Sequence, residues 1–374
     1  MLTLVRKIER LTDFNSVVCK IITIIFKNIV FRKQTRIELK KNNKFDIIIS
    51  NNHVSYFLNI GPVIEKLSKK YKVALVIEKD DAKSAILELR SYYPNCKIIE
   101  TNYRLLPYFY SRVHLSSIAG KEKYFSRNSQ RVFYFHGTAN LAGFKKNGMT
   151  AYDVILCATN DQAFEVSLMY GGKTNCLVGY PKLSPIDLGN SKTPSQFVFS
   201  VIYCPSYRGV LNSNQLLQLF DHQSVIKSLL KNKLIDRLVI RPHPQDVKEG
   251  NIDDILNNFS DNPRIDFDYT GNYDLIYKES SALITDFSGT AVSYSLIYGR
   301  PAICVLKSIE FIKEMQPYAM EVCKISLSLN DLENSKYLKS TSIIIENKRL
   351  ELRKLHVDAV KNFILAIDKC MNKK

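Results

Sequence analysis

The sequence predicts an α/β protein built as two doubly wound, parallel-sheet domains in tandem, with a cleft between the carboxyl ends of their strands. Three observations predict it. The chain has 374 residues, 45% hydrophobic and 24% charged, which is enough material for two cores. From residue 45 onward, short apolar runs alternate with amphipathic windows of helical period. The stretch Ser191-Lys192-Thr193-Pro194-Ser195 then reads as a linker, and a second series of the same kind follows it. Strands that are apolar at nearly every position imply sheets covered by helices on both faces. The same composition excludes a disulfide-stapled miniprotein, a disordered tail and a coiled-coil rod.

Residues 1–44 form a basic segment with eleven Lys or Arg against three acids, a local balance of +8 out of a total of +17. Val17 to Phe31 is apolar but interrupted by Lys20 and Lys27, so it falls short of the roughly 18 uninterrupted apolar residues of a spanning helix. No small-residue cleavage site follows it, which argues against a secretory signal. As a helix it has a broad apolar arc and a narrow basic stripe. That pattern suits an anionic membrane interface and equally suits packing on the domain with lysines at the solvent edge.

The first domain, residues 45–190, has candidate strands at Asp46–Ser50, Val73–Ile77, Lys97–Ile99, Val132–Phe135, Val154–Ala158 and Asn175–Val178. Pro62–Lys70 and Ala82–Ser91 are helical windows between them. The second, residues 196–374, has strands at Phe197–Tyr203, Arg237–Arg241, Ala282–Thr285 and Ala302–Val305, with helical windows at Asn214–Lys231 and Asn272–Ser280. The last window, Leu350–Cys370, is long enough to pack back toward the first domain.

The net charge points to an anionic partner. No cluster of aromatic residues accompanies the bases, so nucleic acid is not the expected partner. Eight scattered cysteines, with no C-x-x-C pair, read as buried thiols of a reducing compartment. Gly172-Lys173-Thr174 resembles the end of a phosphate loop, but Ser167 occupies the position of its first glycine and a strand follows it. Asp266-Phe267-Asp268 is the kind of acid pair that chance supplies often. No metal or cofactor is expected.

Several segments place polar groups where a strand ends. Val132–Phe135 releases His136, Gly137 and Thr138, which puts an imidazole at the cleft rim, where it can take a proton from a hydroxyl. Leu238–Ile240 ends in Arg241-Pro242-His243-Pro244, whose prolines stiffen the turn that presents an Arg fork and a second imidazole. Ala282–Thr285 ends in Asp286-Phe287-Ser288-Gly289-Thr290 before a helix, a geometry that serves both ordinary capping and phosphate binding. Val198–Tyr203 leads to Cys204-Pro205-Ser206-Tyr207-Arg208-Gly209, and Gly179-Tyr180-Pro181-Lys182 precedes the linker as a candidate hinge.

In order along residues 130–305, HGT (136–138), GYPK (179–182), CPSYRG (204–209), RPHP (241–244) and TDFSGTA (285–291) resemble the CDP-glycerol glycerophosphotransferase family. These are the teichoic-acid and capsule polymerases and primases of bacterial surfaces. The resemblance implies a GT-B architecture, with the acceptor on the first domain and the nucleotide mainly on the second. It implies a peripheral enzyme on the cytoplasmic face of the membrane. The implied reaction moves a polyol phosphate, glycerol phosphate foremost, from a CDP-activated donor to a hydroxyl of a glycan or lipid-linked acceptor and releases CMP.

Carried over, His136 is the base on the acceptor, and His243 with Arg241 contacts the pyrophosphate. Ser288, Gly289 and Thr290 bind phosphate, Asp286 positions their turn or a ligand hydroxyl, and Arg208 adds positive charge. Gly137, Thr138, Tyr180 and Lys182 belong to the acceptor side or the hinge. Two departures stand out: Ser288-Gly289-Thr290 replaces the paired serines of many members, and Ala139-Asn140-Leu141 lacks the proline and bases common after HGT. Two other readings follow from the same residues: a GT-B glycosyltransferase using a CMP-, UDP- or GDP-sugar, and a non-catalytic binder of anionic polymer or lipid.

Overall fold

The computed structural model of the chain describes residues 44–51, 53–78, 82–118, 125, 128–135, 137, 148–171, 173–184, 198–209, 211–270, 274–315 and 318–373. The basic N-terminal segment, except Lys44, and the linker at 191–195 lie outside the described residues.

Thirteen strands among them form two all-parallel sheets. The first contains β1 (Lys44–Asn51), β2 (Val73–Glu78), β3 (Lys97–Thr101), β4 (Tyr110–Ser116), β5 (Gln130–Tyr134), β6 (Val154–Cys157) and β7 (Thr174–Leu177), in the order β3-β2-β1-β4-β5-β6-β7. The second contains β8 (Ser200–Tyr203), β9 (Arg237–Ile240), β10 (Ile265–Phe267), β11 (Ala282–Thr285), β12 (Ala302–Val305) and β13 (Lys324–Ser326), in the order β10-β9-β8-β11-β12-β13. Both orders reverse direction once, at β1/β4 and at β8/β11. Such a reversal opens a crevice beyond the carboxyl ends of the strands.

The helices of the first half are α1 (Val54–Leu58), α2 (Gly61–Lys70), α3 (Ala82–Tyr92) and α4 (Asn160–Met169). Those of the second are α5 (Ser213–Leu216), α6 (His222–Lys231), α7 (Pro244–Glu249), α8 (Asp253–Phe259), α9 (Asp274–Glu279), α10 (Gly289–Tyr298), α11 (Ile309–Met315), α12 (Ala319–Val322), α13 (Asn330–Glu333) and α14 (Ser335–Lys339). Two helices, α15 (Ile343–His356) and α16 (Ala359–Asn372), close the chain.

Strands β6, β8, β11 and β12 are buried at every position, which is why their runs are apolar but for Ser200 at the start of β8 and Thr285 at the end of β11. Strand β4 is absent from the sequence expectation because it carries Ser111, Arg112, His114 and Ser116. Tertiary bonds make three of these tolerable: His114 Nε2 lies 2.9 Å from Ser50 Oγ, the Ser116 hydroxyl donates to the Ser50 carbonyl at 3.0 Å, and Arg112 donates to the Met371 carbonyl. Strands β10 and β13 also escape prediction, being three-residue edge strands that carry Asp266 and Lys324.

The C-terminal window is two helices broken at Val357-Asp358, where one was expected. Helix α15 packs on the second half through the buried Arg349, whose guanidinium donates to the Ser295 hydroxyl and to the carbonyls of Gly299 and Arg300. It thereby caps the carboxyl end of α10. Helix α16 returns to the first half. Phe363 meets Tyr134 edge-on, and Asp368 bonds both Lys70 and the Tyr71 hydroxyl.

The break between these helices meets the Gly179-Tyr180-Pro181 turn. The Tyr180 amide donates to His356 Nδ1 at 3.2 Å, and the Ser184 hydroxyl donates to the Val357 carbonyl at 2.7 Å. Gly179 sits at φ +82°, and an added Cβ would stand 2.9 Å from the Ala359 Cβ. One buried cluster crosses this boundary, with Tyr152, Tyr180 and Leu183 from the first half and Val292, Tyr294 and Leu352 from the second.

Gly179→Ala should therefore cost about 2–3 kcal/mol, combining the left-handed backbone penalty with overpacking against Ala359. Urea denaturation of both proteins measures it. Burial also lowers three histidine pKa values from the ordinary 6.5: His114 to about 3, His222 to about 4 and His356 to about 4. The unfolded chain therefore takes up these protons first. The stability each histidine supplies is complete above pH 6.5 and is lost as pH falls toward the folded value, at about 1.4 kcal/mol per pH unit per proton. Unfolding midpoints should fall between pH 7 and 5, and His356→Gln should remove one proton's share of that slope.

Candidate functional site

The candidate site residues lie in turns after β5 and β7 in the first half and after β8, β9 and β11 in the second. In the second half, β8 and β11 are neighbours and their turns are joined by Asp286, which is 2% exposed. Its Oδ1 accepts from the amides of Ser206 (2.9 Å) and Phe287 (2.7 Å), and its Oδ2 lies 3.4 Å from Arg208 Nη2. Arg208 also donates to the Phe220 carbonyl at 2.8 Å. Asp286 thus positions the turn rather than facing a ligand, and Arg208 is turned inward as its partner.

Arg241 is similarly engaged. It is ion-paired with the buried Asp268 and donates to the Thr270 carbonyl at 2.7 Å, which ties the β9 turn to the β10 turn. Asp266, the other acid of the D-x-D pattern, pairs with Arg237. Both carboxylates are thereby occupied by arginines. Among the described residues no group of three or more His, Cys, Asp or Glu is arranged to hold a metal ion.

His243 differs from these arginines in being exposed at the turn. It caps α7, its Nδ1 accepting from the Gln245 amide at 3.1 Å. An imidazole that accepts at Nδ1 carries its proton on Nε2 when neutral, so an Nε2–H donor is left for a ligand. Surrounding protein lowers the pKa of His243 chiefly by desolvation; Asp246 opposes this, and His53 adds to it. Tyr207 stacks on the imidazole with centroids 5.4 Å apart and planes 27° from parallel. The Tyr207 hydroxyl is held by Glu249, which also accepts from Gln245 and Asn251.

The start of α10 follows β11, two positions from β9 in the same sheet. Ser288 is its N-cap, with Oγ accepting from the Thr290 amide at 3.2 Å. The Thr290 hydroxyl bonds the buried Tyr277. The Ser288 hydroxyl hydrogen and the Gly289 amide remain as donors toward an anion, since the Thr290 and Ala291 amides bond Ser288 itself.

In the first half, His136 and Thr138 lie outside the described residues. Gly137 is described: its carbonyl accepts from Gln162 Nε2 at 3.0 Å, and Gln162 Oε1 accepts from the Ala158 amide. The turn after β5 is thus tethered to the start of α4. Tyr180 is buried and bonds Ser293 of α10, so the GYPK turn joins the halves directly. Lys182 is half-buried in the same turn.

Sequence reasoning missed His53. It follows β1, whose last residue Asn51 is fully buried and bonded to the Tyr134 hydroxyl (2.6 Å) and the Ser117 hydroxyl (2.7 Å). The signal was present, because Ile47-Ile48-Ile49 ending in Asn51-Asn52-His53 repeats the pattern of a buried run that releases a histidine. Tyr207 was legible as part of CPSYRG, but its stacking role was not.

No family model and no curated protein matches the chain. Solved structures do. A variant of the wall teichoic acid polymerase TagF superposes with a TM-score of 0.61 at 13% identity, over 92% of this chain and 94% of that one. The S. aureus MnaA–UDP co-structure gives 0.60 at 10% identity, over 88% and 97%. Anabaena Alr3699/HepE in complex with UDP and glucose gives 0.53 at 10% identity, over 88% and 99%. With the two strand orders, these likenesses establish the class: the chain has the GT-B fold.

Gly209 explains how the Tyr207 stack is kept. An added Cβ there would meet the Tyr207 hydroxyl at 2.2 Å and its ring at 2.4 Å. Gly209→Ala should push Tyr207 off His243 with little loss of stability, because both groups sit near the surface. The expected result is an unchanged melting temperature and about tenfold weaker binding of a nucleoside diphosphate, read by calorimetric titration.

Proposed function

We propose that the chain transfers a polyol phosphate, glycerol phosphate foremost, from a CDP-activated donor to a hydroxyl of a surface glycan or lipid-linked acceptor. The observation that carries this reading is His243. Its Nδ1 is committed to the α7 cap and its face to Tyr207, which leaves its Nε2–H as the donor of the ring at the end of β9, in the sheet whose β11 leads into α10. A donor diphosphate suits that arrangement, because imidazole N–H and helix amides offer hydrogen bonds to phosphate oxygens. The likeness to TagF, together with the five ordered motifs, supports CDP-glycerol among the donors.

The proposed step forms a bond from the acceptor oxygen to the distal phosphorus and breaks the bond to the bridging oxygen. The electron pair leaves with CMP, and the acceptor's proton goes to His136. His243 Nε2–H, the Ser288 hydroxyl and the Gly289 amide stabilise the charge that builds on the departing phosphate. Arg208 and Arg241, each tied to a carboxylate, hold the turns that carry these donors. Tyr180 and Lys182 fix the boundary that brings the halves together, and Gly137 and Thr138 shape the acceptor side. No metal is assigned a role.

A second reading is sugar transfer from a nucleotide sugar. It is favoured by the solved likenesses that hold UDP, or UDP with glucose, in the same fold. Product analysis separates the two: a new phosphodiester with free CMP, or a glycosidic bond with the diphosphate left on the nucleotide. Membrane attachment through residues 1–44 belongs to the proposal; among the described residues no helix is long and apolar enough to cross a membrane.

Purified protein given CDP-glycerol, CDP-ribitol, CMP-, UDP- and GDP-sugars with a lipid-linked acceptor should release CMP from a CDP-polyol. His136→Ala should lower that turnover by about 10²–10⁴-fold, the usual share of a general base. Near-normal turnover of the variant would remove His136 from the mechanism.

A further inference from the structure

We propose that His53 is a second diphosphate contact, reaching the donor from the first domain while His243 reaches it from the second. The inference rests on the reading of this site as a diphosphate site and adds a residue that neither the motifs nor the likenesses single out.

Topology supplies the first argument. His53 stands two residues past β1, and β1 borders β4 at the order reversal of the first sheet. In open α/β sheets that is where ligands lie. The second is proximity across the domain boundary: the charge on His53 is felt at His243, although the two rings follow strands of different sheets.

The third argument is placement. Asn51 anchors the end of β1 through Tyr134 and Ser117, and the Tyr56 ring lies edge-on to His53 at 6.2 Å between centroids. His53 therefore stands on a fixed base. The fourth is electrostatic. Two imidazoles that disfavour each other's charge become partners once an anion lies between them, since each then gains an opposite charge. The nearby arginines do not fill that place, because Arg208 faces Asp286 and Arg241 faces Asp268.

The test titrates the full chain and its H53A, H53Q, H243A and H53A/H243A variants with inorganic pyrophosphate, CDP and cytidine by calorimetry. H53A is expected to weaken pyrophosphate and CDP about tenfold, the loss of one hydrogen bond to a charged acceptor, and to leave cytidine unchanged. H53Q, which keeps an N–H donor, is expected to lose about threefold, and it decides the matter should H53A fail to fold. The double variant should depart from the product of the single losses, because both side chains act on one ligand.

Wild-type pyrophosphate affinity in H53A, or in H53Q where H53A does not fold, overturns the inference and leaves the functional reading standing. An equal loss for cytidine overturns it as well, since that marks a structural effect. A wild-type chain that binds neither pyrophosphate nor CDP overturns the functional reading and the inference together.

Discussion

The site depends on one buried carboxylate. Asp286 is almost without solvent, and a carboxylate there is tolerable only because two amides and an arginine answer its charge. Those partners decide the local shape. The Ser206 amide fixes the turn after β8, so Tyr207 comes to lie over His243. The Phe287 amide fixes the turn after β11, so Ser288 caps α10, taking the Thr290 and Ala291 amides. Replacing Asp286 by an apolar residue would free both turns at once. The two elements of the second domain proposed to bind an anion are therefore set by a carboxylate whose oxygens are taken up by the protein itself.

The relation between the halves has a comparable origin. Helix α10 begins at the site and ends under Arg349, while Tyr180 reaches across the boundary to its Ser293. The α15–α16 break then bonds the same GYPK turn through His356. The helix that presents amides to the site is thus held at its far end by one domain and along its side by the other. A clamp of this kind matters for phosphoryl transfer, because most of the acceleration comes from donors already in position when charge develops.

How much of this was legible follows from where each partner lies in the chain. Strands β11 and β12 were predicted to the residue because their four-residue runs are buried throughout and apolar except for Thr285. Strand β4 was not, because His114 and Ser116 are made tolerable by Ser50, 64 and 66 residues away. The strand-end histidines and the α10 start were legible as places where buried runs release polar groups. Their pairing was not. Arg241 finds Asp268 27 residues on, and Arg208 finds Asp286 78 residues on. A sequence shows an arginine at a turn without showing whether a carboxylate has already claimed it. For the same reason Asp266-Phe267-Asp268, read alone as a metal motif, is a pair of arginine anchors.

That distinction changes what the net charge means. A balance of +17 invites the idea that arginines grip the anion, yet the two arginines nearest the site are each matched to an acid. Under the proposed function the local attraction comes from neutral parts: an imidazole Nε2–H, a hydroxyl and the first amide of a helix, which act at contact and fade within a few ångströms. The sequence excess of +8 in the first 44 residues would, under the proposed function, supply a long-range field that draws polyanions and anionic surfaces without choosing among them. Capture and discrimination are thus assigned to different parts of the chain. Salt should weaken the first far more than the second, because screening acts over distance while the hydrogen bonds of the site act at contact.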